Sequence, residues 1–120
     1  MSVVFINLFE VPAGRDEAFL ARWQQVNDYM RTRPGYRAHR LHRAFGDDAR
    51  YRYVNVASWE SAEAWRSAHD ETFRGLVAQP EWREFPSTPA LFEVVHAGGR
   101  TVPGAAPPGS GEAGVRGSAP

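Results

Sequence analysis

The sequence predicts a single α+β domain of the ferredoxin-like βαββαβ type that pairs with a copy of itself. Three observations carry this. Stretches with a two-residue apolar period alternate with stretches of helical spacing in the order β-α-β-β-α-β. A chain of 120 residues is long enough for one hydrophobic core and too short for two. Both sides of the first strand are largely apolar, so a sheet with its helices on one side would leave a bare apolar face, which a second subunit packing sheet to sheet would cover.

The first strand is Val3 to Val11, with Val3, Phe5, Asn7, Phe9 and Val11 on one side and Val4, Ile6, Leu8 and Glu10 on the other. Pro12-Ala13-Gly14 ends it. Arg15 to Thr32 then carries Phe19, Trp23, Val26 and Met30 at helical spacing, and Pro34-Gly35 stops that helix. Tyr36–Phe45 and Arg50–Ser58 form a hairpin around the turn Gly46-Asp47-Asp48-Ala49. Ser61 is placed to cap a second helix that runs from Ala62 to about Ala78, either whole or with one break, before Pro80. Glu81 to Phe85 adds a helical turn, Pro86 and Pro89 frame a loop, and Ala90 to Ala97 supplies the last strand. Residues 1–97 form the domain. The stretch 98–120, rich in Gly and Pro with Val102 and Val115 as its sizeable apolar side chains, buries too little to offset its ordering entropy and is expected to be disordered.

Composition excludes several functions. Fourteen basic residues balance fourteen acidic ones, so no net positive field is available to hold a phosphate backbone, and nucleic acid is not an expected ligand. The absence of cysteine removes disulfides, thiolate catalysis and thiolate metal sites. No apolar run reaches the ~20 residues of a membrane-spanning helix, and the N-terminus lacks the basic and small-residue features of a signal peptide, so the cytoplasm is the expected location. No metal-binding histidine or carboxylate spacing and no Gly-rich phosphate loop occurs.

The chemistry-bearing residues are those that break strand patterns. Asn7 sits mid-strand between Phe5 and Phe9, and Asn55 repeats the anomaly in Tyr53-Val54-Asn55-Val56-Ala57. A buried amide needs partners. It either bonds nearby backbone or water, or it points a donor and an acceptor into a pocket. In this topology the first and third strands are neighbours, so both asparagines can face one cavity. Trp59, four residues beyond Asn55, shares its side of the strand, with small Ala57 between them. Trp59 is otherwise an ordinary core aromatic. His39 and His42 have opposite parity, so one of them faces the helices. One of the two is a candidate pocket base, while His69 reads as a surface or capping residue and His96 ends the last strand. Phe9, Trp23, Trp65, Phe73 and Trp82 would give a flat apolar surround or plain core.

At these residues the chain resembles the antibiotic biosynthesis monooxygenase superfamily of dimeric α+β barrels. The landmarks are Phe5-Ile6-Asn7-Leu8-Phe9-Glu10-Val11-Pro12-Ala13-Gly14, the Arg33-Pro34-Gly35-Tyr36 turn, Tyr53 to Ser61, and Ala90-Leu91-Phe92-Glu93-Val94-Val95. The resemblance implies two branches. Cofactor-independent anthrone oxygenases of aromatic polyketide pathways use an Asn-x-x-x-Trp pair on the third strand, and some add a first-strand asparagine. Asn55, Trp59 and Asn7 match all three, implying catalytic roles for them, contacts to a small aromatic substrate from Phe9, Trp23, His42, Trp65 and Phe73, His42 as a candidate base with Arg40 or Arg43 as anion stabilisers, dioxygen as co-substrate, a homodimer, and no cofactor or metal. The haem-degrading branch shares the first-strand asparagine but needs a tryptophan and a histidine ligand on the second helix, where this chain has Ala68 and Val77. A cyclase or a ligand-binding dimer of the same fold is the further alternative.

Overall fold

A computed structural model describes residues 3–100, so the expected disordered tail falls almost entirely outside the described residues. Four antiparallel strands, β1 (Val3–Phe9), β2 (Tyr36–Arg43), β3 (Tyr53–Trp59) and β4 (Ser87–Phe92), are ordered β2-β3-β1-β4. The doubly apolar first strand is therefore central, where both of its edges are paired. This is the ferredoxin-like α+β fold. Three helices, α1 (Asp16–Met30), α2 (Ala62–Ala68) and α3 (Glu71–Val77), and a 3-10 turn at Pro80–Glu84 complete it.

The second helix of the sequence reading is two helices. Each half is capped by its own side chain: Ser61 Oγ accepts from Ala64 N at 3.0 Å, and Asp70 Oδ1 accepts from Phe73 N at 3.0 Å. Asp70 resets the chain to an extended conformation and starts a new helix, so His69 sits at the break. Asp70 also accepts from the Tyr29 hydroxyl, which ties the break to α1.

The last strand differs from the reading as well. It spans Ser87–Phe92 rather than Ala90 to Ala97, and Val94 and Val95 are 65% and 86% exposed. Two causes act. Its partner β1 begins at Val3 and Val4 already pairs with Phe92, so among the described residues β1 extends only one residue beyond that pair. Pro89, read as loop punctuation, is tolerated because β4 is an edge strand. Glu10 N donates to Pro86 O at 2.9 Å. By alternation the even-numbered residues of β1 then bond β4, and the missing N–H of Pro89, opposite Asn7, falls on the outer margin.

Gly35 has φ +89° and a Cβ there would lie 2.4 Å from Ala64 Cβ, while its carbonyl accepts from Glu60 N at 2.7 Å. Only glycine permits both the turn into β2 and the close approach of α2.

The core lies between the helices and one face of the sheet, in two clusters. Phe9, Phe19, Trp23, Tyr53 and Phe85 form one, and Met30, Ala57, Trp59 and Ala68 the other. Between them on the sheet lies the opposed pair Asn7 and Asn55. A polar pair set into an apolar face is where a cavity opens.

Candidate active site

That cavity measures about 440 Å³. Its floor is β1 and β3, through Phe5, Asn7 and Phe9 and through Asn55, Ala57 and Trp59; α1 supplies Trp23, Val26, Asn27 and Met30, and the broken helix pair supplies Trp65, His69, Phe73 and Val77. Trp82, Phe85, Pro86 and Pro89 close one end. A second recess of about 210 Å³ beside Arg33, Gly35 and Glu60 holds none of the buried partnerless side-chain atoms.

Asn7 and Asn55 are directly opposed on neighbouring strands, as the parity argument expects. Both side-chain oxygens are buried without a hydrogen-bond partner. The indole N–H groups of Trp65 and Trp82 are buried and partnerless too. Such an atom costs about 1–3 kcal/mol, and four of them around one space mark it as built for an occupant with polar edges. Trp59, 2% exposed, stands at the end of the same strand face, with Tyr36 edge-on to it at 5.5 Å between ring centroids.

Of the other expected contacts, Phe9, Trp23, Trp65 and Phe73 line the cavity. His42 does not. It pairs with Val54 on the opposite face of the sheet, is exposed, and holds its Nδ1 3.2 Å from Val54 O. Arg40 shares that outer face, and Arg43, on the helix side, is exposed near Asp16. The inward histidine of β2 is His39, opposite Ala57, packed against Trp23 and hydrogen-bonded through Nδ1 to the Tyr36 hydroxyl. Burial, with help from Arg31, pushes its pKa down, and burial pushes that of Tyr36 up.

Among the lining residues that the sequence reading does not place at the site are Tyr36, Asn27 and His69. Asn27 is 7% exposed on α1. It lies one helical turn beyond Trp23, a polar residue at a core position, and that spacing was the available signal. His69, read as a surface or capping residue, lines the cavity together with Trp65 and Phe73, four residues to either side of it. Its Nδ1 lies 2.7 Å from Trp65 O, and its ring sits between those of Trp65 and Phe73 at 4.1 and 4.3 Å. The four-residue spacing of Trp65, His69 and Phe73 was the available signal. Among the described residues there is no group of three or more His, Cys, Asp or Glu that could hold a metal ion, and no helix long and apolar enough to cross a membrane.

The family model described as antibiotic biosynthesis monooxygenase matches residues 2–85. Among solved structures, a candidate monooxygenase from Shewanella loihica PV-4 is 32% identical with a TM-score of 0.70, over 79% of this chain and 95% of that one. SnoaB, a cofactor-independent oxygenase from Streptomyces nogalater, is 27% identical with a TM-score of 0.66, over 79% and 94%. A haem-degrading protein from Mycobacterium tuberculosis is 28% identical with a TM-score of 0.58, over 82% and 100%. No curated protein matches the chain.

Proposed function

This chain belongs to the antibiotic biosynthesis monooxygenase family, and on that premise we propose that it oxidises an anthrone-like aromatic polyketide or phenol to a quinone with dioxygen, without a cofactor. The observation that carries this is the opposed Asn7–Asn55 pair, its amide oxygens partnerless at the floor of an aromatic cavity that ends at Trp59. A volume of about 440 Å³ lies within the roughly 300–1,000 Å³ usual for small-molecule sites. An electron-rich anthrone that has lost a proton can pass an electron to dioxygen itself, so the protein's tasks are to hold the ring, exclude water and stabilise the anion. The amides and the Trp59 indole are neutral donors suited to that.

Haem fits less well. Val77 lines the cavity and Ala68 is buried where that branch would place its ligand and its tryptophan, and neither can serve. His69, the histidine present, has its ring between two aromatic side chains, with one nitrogen held by a carbonyl. The test is to mix metal-stripped protein with dithranol and follow quinone absorbance and oxygen uptake. Turnover well above the spontaneous rate is expected, and haemin titration should give no Soret shift. A spontaneous rate only, or a haem complex, would overturn the reading.

The homodimer belongs to the same proposal. The outer sheet face presents Val4, Ile6, Leu8, Val54 and Val56, all partly exposed, beside Phe92 at 48%. A second copy laid sheet to sheet would bury them. Light scattering should report twice the chain mass, and Val56→Arg should halve it; a monomeric parent would refute the pairing.

A further inference from the structure

Two titratable side chains line the cavity, Tyr36 and His69, and no carboxylate does. Burial raises the Tyr36 pKa, so the phenol stays protonated and cannot take a proton at neutral pH. That leaves the imidazole.

Its geometry suits a base. A carbonyl oxygen only accepts, so the contact from Nδ1 to Trp65 O at 2.7 Å puts the ring proton on Nδ1 and the lone pair on Nε2. Trp65 and Phe73 hold the ring by its sides, and Phe5 on β1 meets it edge-on at 6.3 Å. We propose that His69 is the catalytic base of this cavity, its Nε2 removing the proton that activates the aromatic substrate and returning it to the peroxide formed with dioxygen.

This rests on the oxygenase reading above, and the atoms balance. A substrate C–H proton moves to Nε2, and the carbanion passes one electron to dioxygen. The two radicals combine into a C–O bond, and the imidazolium protonates the distal oxygen. Nε2 then takes the second C–H proton as the O–O bond breaks, the carbonyl forms, and the departing hydroxide leaves as water with a proton. One oxygen atom ends in the quinone and one in water.

Burial lowers the His69 pKa from its ordinary 6.5, against the Trp65 carbonyl bond and the Asp70 charge, which raise it. Asp70 is engaged by the Tyr29 hydroxyl, by Phe73 N and, at 3.9 Å, by Arg33 from the α1 side. Arg74 on α3 donates to His69 O at 2.9 Å, and the β1 neighbour Phe5 is uncharged. The neutral, basic form therefore persists to lower pH than for a free histidine, and activity should fall as pH drops below 6.5.

The experiment separates proton removal from oxygenation. Under nitrogen, the protein mixed with dithranol should generate the long-wavelength band of the dithranol anion, with an amplitude that falls on acidification. His69→Gln, which keeps a donor for the Trp65 carbonyl, should abolish that band. In air it should lower kcat by about 10²–10⁴-fold, remove the acid limb of kcat/KM, and leave dithranol binding within about twofold. Added imidazole should restore part of the rate to His69→Ala. No anion with the wild type under nitrogen, or an undiminished band with His69→Gln, would overturn the proposal. Should the variants not fold, the wild-type band decides: it must titrate as one ionisation below 6.5. An anion under nitrogen without oxygen uptake in air leaves His69 as the base and defeats the oxygenase reading instead.

Discussion

Exchanging Asn7 and Asn55 together for leucine is expected to stabilise the fold by about 2–4 kcal/mol and to reduce anthrone oxidation by at least ~10²-fold. The two side chains are nearly isosteric, so little packing volume changes. Each asparagine oxygen is buried without a partner, and removing it relieves the desolvation cost of that atom. Under the proposed oxygenase reading, the same change takes away neutral donors for the developing anion. Urea titration and oxygen uptake on Asn7→Leu, Asn55→Leu and the pair measure both effects. A loss of stability would mean that the amides are satisfied in solution and that the cavity was not built around them.

Gly35→Val is expected to cost about 3–5 kcal/mol, among the largest single-site losses in the domain. A side chain at φ +89° costs about 1–3 kcal/mol, and the 2.4 Å overlap with Ala64 Cβ forces α2 away from the turn for a further 1–3 or so. The two parts can be separated. Adding Ala64→Gly should recover the overlap and leave the backbone strain, so about half of the lost stability should return in thermal unfolding. Full recovery, or none, would show that one of the two causes is absent. Because α2 carries Trp65 and leads to His69, the single variant should also weaken ligand binding.

Legibility from sequence followed the physics of each element. The asparagine row was readable because strand parity is rigid and the βαββαβ order makes the first and third strands neighbours; Asn7 and Asn55 then meet whatever the loops do. The histidines of β2 were not. Which of His39 and His42 faces inward depends on the residues spent between β2 and β3, and alternation alone does not count them. His69 was missed for a different reason. Its four-residue spacing from Trp65 and Phe73 marks one helix face, but a histidine at a helix end suits a cap equally well, and its contacts to both rings are visible only in the fold. Asn27 was overlooked in favour of Val26, although Asn27 lies one turn from Trp23 and is the more buried of the two. The last strand was displaced because Pro89 signals a break in general but is accommodated at a margin.

The position of Pro89 has a wider meaning for this chain in concentrated solution. A sheet four strands wide has two open margins, through which identical molecules can grow strand upon strand into a ribbon without end. On one margin the outward donor at Pro89 is missing, and on the other β2 carries exposed Arg37, Arg40 and Arg43. Charge repulsion and an unmade backbone bond thus oppose growth at both margins. The homodimer proposed above would join two sheets face to face and leave these guarded margins outside the contact.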